Sequence, residues 1–307
     1  MHHQNHVFRG SLAIVIASFL WGTTGTAASF TPNVSPLATG AFAMGIGGLL
    51  LVLSAFRTLM LDSAKLMAQY KLLLVGGLSV AIYPLAFYSS MRLSGVAIGT
   101  VLSIASAPFF TVLLECLISK KTMSTRWLVS FAIGVLGIVL LALGKIRNTE
   151  LDTPLLGHYL GMLLGLVAGL SYALYSWAAK CMIEGGINSK SAMSSMFGLA
   201  ACVLLPSLLL TGDNLFTSTG NTLVVFYMAI VPMFLGYVLF GYGLNYVEAS
   251  QATLITLLEP AVATLMAVLI VGERFSAIGW FGIGLIMVCL LLQITNKPVN
   301  SQNLALV

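Results

Sequence analysis

Polar positions in this 307-residue chain fall in short clusters, and the stretches between them are almost wholly apolar. Each stretch holds about twenty residues, the length an α-helix needs to cross the roughly 30 Å hydrocarbon core of a bilayer. Ten such runs follow one another, over 11–30, 37–56, 71–91, 96–118, 127–144, 158–179, 191–211, 222–244, 250–270 and 278–294. The pattern predicts an all-α integral membrane protein with ten transmembrane helices. Arg9 and the small residues Thr26 to Ser29 make the first run look like a cleavable signal, but it is long for one. Its loss would also break a repeat, so it is read as a span.

The chain is read as a duplication. "GTVLSIASAPFFTVLLECLISKK" (Gly99 to Lys121) aligns without a gap on "QATLITLLEPAVATLMAVLIVGE" (Gln251 to Glu273). The offset is 251 − 99 = 152, which places Pro108 on Pro260. Before them "MRLSGVAIG" (Met91 to Gly99) falls on "GLNYVEASQ" (Gly243 to Gln251), and "FLWGTTGTA" falls roughly on "GLSYALYSW". The expected organisation is an N-terminal tail (1–10), a first five-helix repeat (11–144), a linker (145–156), a second repeat (157–294) and a C-terminal tail (295–307). Five is odd, so the second repeat enters the membrane from the opposite face. Two inverted repeats suit an alternating-access carrier with its site at the midplane between them.

Composition agrees with a lipid-embedded chain. Hydrophobic residues make up 59% and charged residues 7%, against about 25% charged in a soluble domain. Mean hydropathy is +1.01. The net charge of +5 does not point to nucleic acid, because the basic residues are scattered between apolar runs and read as orientation signals. With the N-terminus in the cytoplasm, Arg9, Arg57, Lys65, Lys71, Lys120, Lys121, Arg126, Lys180, Lys190 and Lys297 fall inside. Arg92, Lys145, Arg147 and Arg274 fall outside, so ten of the 14 basic residues favour both termini in the cytoplasm. Cys116, Cys181, Cys202 and Cys289 sit in or beside apolar runs and read as free thiols. No spacing suggests a metal site or a cofactor motif.

The candidate chemistry lies within the spans. Pro84, Pro108, Pro232 and Pro260 are expected helix breaks, in the third and fourth helices of each half. Each removes a backbone donor and crowds the carbonyl four residues earlier. In lipid a freed carbonyl must find a partner in protein or trapped water; for Pro260 it belongs to Thr256. Glu259, directly before Pro260, is the one ionisable residue near the middle of a span. Its charged form costs at least about 2.5–3.5 kcal/mol at the bilayer centre, so it must meet water, a partner or a proton. It aligns with Ala107, so a proton site here is asymmetric. Trp21, Tyr83, Tyr172, Tyr175 and Tyr237 lie too deep for an interfacial belt, which accounts better for Trp127, Trp280 and Tyr246. Facing a common cavity, these rings with Thr256 and Glu259 would bind a small amphiphilic solute. Glu115 is expected near the interface, tied to Lys120 and Lys121. Small residues in "GVLG" (Gly134 to Gly137) and "GWFGIG" (Gly279 to Gly284) allow close approach of the fifth and tenth helices, between the halves or in a homodimer.

"LLEPAVATLMAVLIVGER" (Leu257 to Arg274), "FLWGTTG" (Phe19 to Gly25) and the five-plus-five arrangement resemble the EamA-type members of the drug/metabolite transporter superfamily. The resemblance covers nearly the whole chain. It implies a bacterial inner-membrane carrier, often an exporter of amino acids or other metabolites. It also implies a central cavity lined by the first, third, fourth, sixth, eighth and ninth helices. The first repeat departs from the pattern, with Lys120-Lys121-Thr122 where the second has Gly272-Glu273-Arg274. The expected function is secondary transport of a small metabolite by alternating access, with Glu259 the candidate proton exchanger; small solute, lipid and protons are the partners. A lipid flippase is the first alternative, although no basic residue lies at depth. An intramembrane enzyme is the second. It would need a nucleophile with a base, or a metal cluster, and the sequence has neither His-Glu-x-x-His nor Gly-x-Ser-x-Gly.

Overall fold

A computed structural model describes residues 2–144, 155–272, 274 and 276–294. The central part of the linker (145–154, with Lys145 and Arg147), Glu273, and the C-terminal tail with Lys297 lie outside the described residues.

Among the described residues ten helices are long and apolar enough to cross a membrane: α1 (His6–Ser29), α2 (Pro36–Ser54), α3 (Tyr70–Ser94), α4 (Ile98–Leu117), α5 (Thr125–Gly144), α6 (Leu155–Glu184), α7 (Ser189–Thr211), α8 (Thr219–Leu244), α9 (Ala249–Ile270) and α10 (Ala277–Ile294). Each overlays one apolar run of the sequence. Two features were not in the hydropathy pattern. The first helix continues back to His2 through the polar tail, and a short helix, Phe56–Ala68, fills the connection between α2 and α3. That connecting helix docks on the α6–α7 turn. Asp62 Oδ2 accepts the Asn188 N–H at 3.1 Å, and Lys65 Nζ donates to the Gly186 carbonyl at 2.8 Å. Gly186 sits at φ +82°, where a side chain would be strained.

The helix packing maps onto itself when the halves are exchanged. α3 lies along α6 as α8 lies along α1; α4 packs on α6 as α9 packs on α1; α3 meets α7 as α8 meets α2. The pairs α2–α7, α4–α9 and α5–α10 are their own counterparts. This is the twofold pattern of two five-helix repeats.

Glycine faces make the closest of these contacts. A Cβ on Gly137 would lie 2.9 Å from the Gly282 carbonyl oxygen, and one on Gly282 would lie 2.5 Å from the Gly137 carbonyl oxygen. The glycines of α5 and α10 therefore face each other within one chain, and only Gly284 among those singled out on α10 looks into open space. Backbone fills the Gly137 and Gly282 faces within one chain.

The prolines act differently from one another. Pro84 does not break α3, which runs unbroken with the proline inside it. A proline deletes one helical hydrogen bond, and close packing on a neighbour, here against Gly40 of α2, can retain the helix around it. Pro108 and Pro260 each stand third in a helical segment, Ser106–Leu117 and Leu258–Met266. At Pro260 the missing N–H is one of the four a helix start leaves unpaired anyway, whereas Pro108 stands inside the continuous helix α4. Ahead of Pro108 the chain widens into a π-helical turn, Val101–Ala105. Ahead of Pro260 the helix is interrupted after Ile255, and the Thr256 carbonyl accepts the Glu259 N–H at 3.0 Å. Pro232 lies inside a second π-helical turn, Ala229–Leu235.

Two residues near helix ends are packed inside the protein. Glu115 is buried, and its Oε1 accepts the Ser250 N–H at 3.1 Å. Trp127 is buried too; it stacks on Phe131 and donates from Nε1 to the Ser250 carbonyl at 3.3 Å. The start of α9 packs against α4 and supplies the peptide that both of them bind. Trp280, by contrast, is exposed.

Candidate functional site

Helices α1, α2, α3, α6, α8 and α9 enclose a central cavity. It is lined by Trp21, Thr24, Gly40, Ala43, Met44, Tyr83, Pro84, Phe87, Tyr88, Tyr172, Tyr175, Met233, Tyr237 and Glu259. The cavity among them is about 40 Å³, enough to admit water. The cavity is a slot between rings in this conformation.

Of the residues expected at the site, Trp21, Tyr83, Tyr172, Tyr175, Tyr237 and Glu259 come together on its wall. Thr256 does not line it. It is fully buried behind Tyr172, whose hydroxyl donates to Thr256 Oγ1 at 2.9 Å. The second helix lines the cavity where the family resemblance placed the fourth. Helix α4 instead packs closely on α6, where Gly165 and Gly169 lie against its Leu102 side chain and Ser103 backbone. Gly40 of α2 in turn leaves room for the Tyr88 ring. Gly40, Ala43 and Met44 are thus lining residues the sequence reading missed, and the spacing of Gly40 and Ala43 on one helix face was the available signal.

The rings form a continuous arc. Tyr83 stacks on Phe87 at 5.6 Å, meets Tyr172 edge-on at 5.6 Å, and Tyr172 stacks on Tyr175 at 5.1 Å. Tyr237 lies 6.2 Å from Tyr175 and 4.8 Å from Trp21. Several polar ends are tied back into the protein. Trp21 Nε1 donates to the Pro232 carbonyl at 2.8 Å, which satisfies a carbonyl within the π-helical turn. Tyr175 and Tyr237 share a hydroxyl–hydroxyl bond of 3.3 Å. The Glu259 carboxylate and the Tyr83 and Tyr88 hydroxyls form no hydrogen bond among the described residues. Tyr172→Phe is expected to remove about 1 kcal/mol of stability and lower the melting temperature by a few degrees, measured on purified protein. An unchanged melting curve would mean the bond to Thr256 is not formed.

An ionic cluster covers one end of the bundle. Lys121, in the α4–α5 loop, reaches Glu184 at the end of α6 at 2.7 Å and Glu248 before α9 at 2.5 Å. Buried Lys180 donates to the Leu244 carbonyl at 3.0 Å and stands 3.8 Å from Glu184. Burial works to lower the Lys121 pKa, but the Glu184 and Glu248 carboxylates outweigh it and hold the ammonium above its ordinary range. A raised lysine pKa keeps the cluster fully formed below the ordinary lysine range, and it is lost only as pH climbs through the raised value. The cluster ties the first repeat to the second, so opening at this end must part it. These side chains are 30–48% exposed, so each pair contributes no more than about 1 kcal/mol. Lys121→Ala is expected to raise thiol labelling of half-buried Cys181 up to about fivefold, in protein whose other three cysteines are replaced. No increase would show that the cluster does not hold this end closed.

Among the described residues no three His, Cys, Asp or Glu side chains gather as metal ligands. The four cysteines are free.

Two pseudo-symmetric five-helix repeats around an aromatic slot make this an all-α, multi-pass membrane protein of the carrier type. The model of the EamA-like transporter family matches residues 8–143 and again 159–295, and the chain belongs to that family. It is 33% identical over 283 residues to the uncharacterized transporter YwfM of Bacillus subtilis (strain 168), covering 92% of each chain. It is 23% identical over 290 residues to the uncharacterized inner membrane transporter YicL of Salmonella typhimurium, covering 91% of this chain and 93% of the other. A crystal structure sharing 16% identity superposes with a TM-score of 0.75 over 92% of this chain and 95% of the other, which shows a common fold. The protein is a transporter, and its family implies a small-molecule solute.

Proposed function

We propose that this transporter moves a small amphiphilic metabolite outward by alternating access around the central slot, exchanging it against a proton at Glu259. The observation that carries the reading is a carboxylate at an interrupted span, in a cavity, with no hydrogen-bond partner among the described residues. Such a group exchanges ligands readily, because nothing in the protein competes for it. Trp21, Tyr83, Tyr172, Tyr175 and Tyr237 offer apolar faces to the solute, and Thr256 acts through Tyr172. The ten-to-four charge count supports cytoplasmic termini, and the relatives named as inner membrane transporters support that location in a bacterium. Outward direction follows the family resemblance.

The test is proton release inside sealed vesicles holding the purified protein and a trapped pH dye. Amino acids, polyamines, nucleosides and cationic drugs are added in turn. At least one class is expected to drive proton movement absent from empty vesicles; silence across the whole panel removes the coupling.

A lipid flippase is the second reading, and one feature favours it. A lateral hollow of about 450 Å³ between α2, α7 and α8 has Lys190 among its lining residues and shares Tyr237 with the central slot. Transbilayer movement of a headgroup-labelled lipid in the same vesicles separates the readings.

A further inference from the structure

We propose that the central slot selects an organic monocation, an amine with a compact apolar body, which competes with a proton for the single carboxylate of Glu259. This rests on the carrier reading above and names the solute class for its site.

The charge inventory is the first support. The lining residues include one carboxylate and no lysine, arginine or histidine. An ionised Glu259 therefore leaves the slot with an unbalanced negative charge, which a proton or an incoming cation can cancel. The elements packed around it bring the phenols of Tyr83 and Tyr88 on α3, Tyr172 and Tyr175 on α6 and Tyr237 on α8 to the same cavity wall. Helix α10 adds the buried Cys289 thiol near Gly134, outside the slot. None of these is cationic.

The unpaired polar atoms are the second support. Trp21, Tyr172, Tyr175 and Tyr237 have partners within the protein. The Glu259 carboxylate and the Tyr83 and Tyr88 hydroxyls do not, and all three accept hydrogen bonds. An ammonium bearing N–H groups meets three acceptors. A carboxylate on the solute meets no cation. The start of the Leu258–Met266 segment does not supply one, since Glu259 sits in its first turn and the Glu259 N–H is already bonded to Thr256. A zwitterionic amino acid is thus poorly matched, and the corresponding amine is well matched.

The ring arc is the third. Aromatic faces carry negative charge, and several of them around one point favour a cation over a neutral body of the same shape. The Tyr83–Phe87 and Tyr172–Tyr175 stacks both lie on the slot wall. Its narrowness in this conformation restricts the occupant to a flat or compact body.

Four probes of one shape but different charge test the proposal: phenethylamine, phenylalanine, phenylpropionate and phenethyl alcohol. Binding of each to purified full-length protein is measured by calorimetry. The amine should bind at least about tenfold more tightly than the other three, and its affinity should fall as pH is lowered, because a proton competes for the same carboxylate. In Glu259→Gln the preference for the amine over the alcohol and the pH dependence should both vanish. Tyr83→Phe and Tyr88→Phe should weaken the amine several-fold and more than they weaken the alcohol, which has one donor and no charge; this keeps the test open if the Gln variant does not fold. Equal binding of amine and zwitterion, retention of the preference in the Gln variant, or no binding of the amine overturns the proposal. Because binding is measured without flux, cation selectivity can stand while vesicles show no transport, or fail while they do.

Discussion

Vesicles carrying Glu259→Gln are expected to lose nearly all solute-driven proton movement while the protein remains folded. The ionised carboxylate costs at least about 2.5–3.5 kcal/mol at this depth, so its protonation state biases the carrier by roughly a hundredfold at about 1.4 kcal/mol per decade. Glutamine fixes the neutral form and removes that bias, so coupled flux should fall about a hundredfold. Stability separates this from a structural role. A glutamate that held the kink by hydrogen bonding would lose a bond on substitution and melt earlier. Glu259 has no such partner among the described residues, and replacing a charge at this depth with an amide should leave the melting temperature unchanged or raised. Flux and pH dependence equal to the unsubstituted protein would remove Glu259 from the mechanism.

The second large effect is expected at the crossing of α5 and α10. In Gly282→Leu the new Cβ would stand 2.5 Å from the Gly137 carbonyl oxygen and 2.6 Å from the Leu141 nitrogen. Both are backbone atoms, so relief requires the two helices to separate. Overpacking of a tight core costs typically about 1–3 kcal/mol, and here a whole isobutyl group must enter a backbone contact. The expected result is loss of the monodisperse peak on size exclusion, or a melting temperature lowered by many degrees. Gly284→Leu, two residues on and facing open space, is the control and should stay within about 0.5 kcal/mol of the parent. Equal behaviour of the two variants would show that α10 does not cross α5 at Gly282.

The spans were readable from the chain because lipid imposes a length on every crossing helix and tolerates few charges in it. The ten helices overlay the ten apolar runs for that reason. The connecting helix Phe56–Ala68 was not readable, because it is polar enough to pass for a loop and is held by docking on Gly186 and Asn188. Much of the site was readable too: Trp21, Tyr83, Tyr172, Tyr175, Tyr237 and Glu259 stood out as polar-tipped or charged groups at depth. Thr256 was placed correctly along the chain but on the wrong side of Tyr172. Phe87 and Tyr88 stood out beside Pro84, yet their place in the slot depends on Gly40 of another helix.

Sequence alone determined the number of crossings, the duplication and the residue types expensive enough in lipid to demand a reason. Depth in the membrane is a property of position along the chain, so it survives without knowledge of neighbours. Which face of each helix meets which partner does not. That Trp127 and Glu115 hold the start of α9, that Pro84 leaves α3 whole, and that α2 rather than α4 lines the slot were decided by contacts between residues far apart in the chain. Rotation of a helix about its own axis is set by close packing at glycine-sized gaps, and only the assembled bundle contains that information.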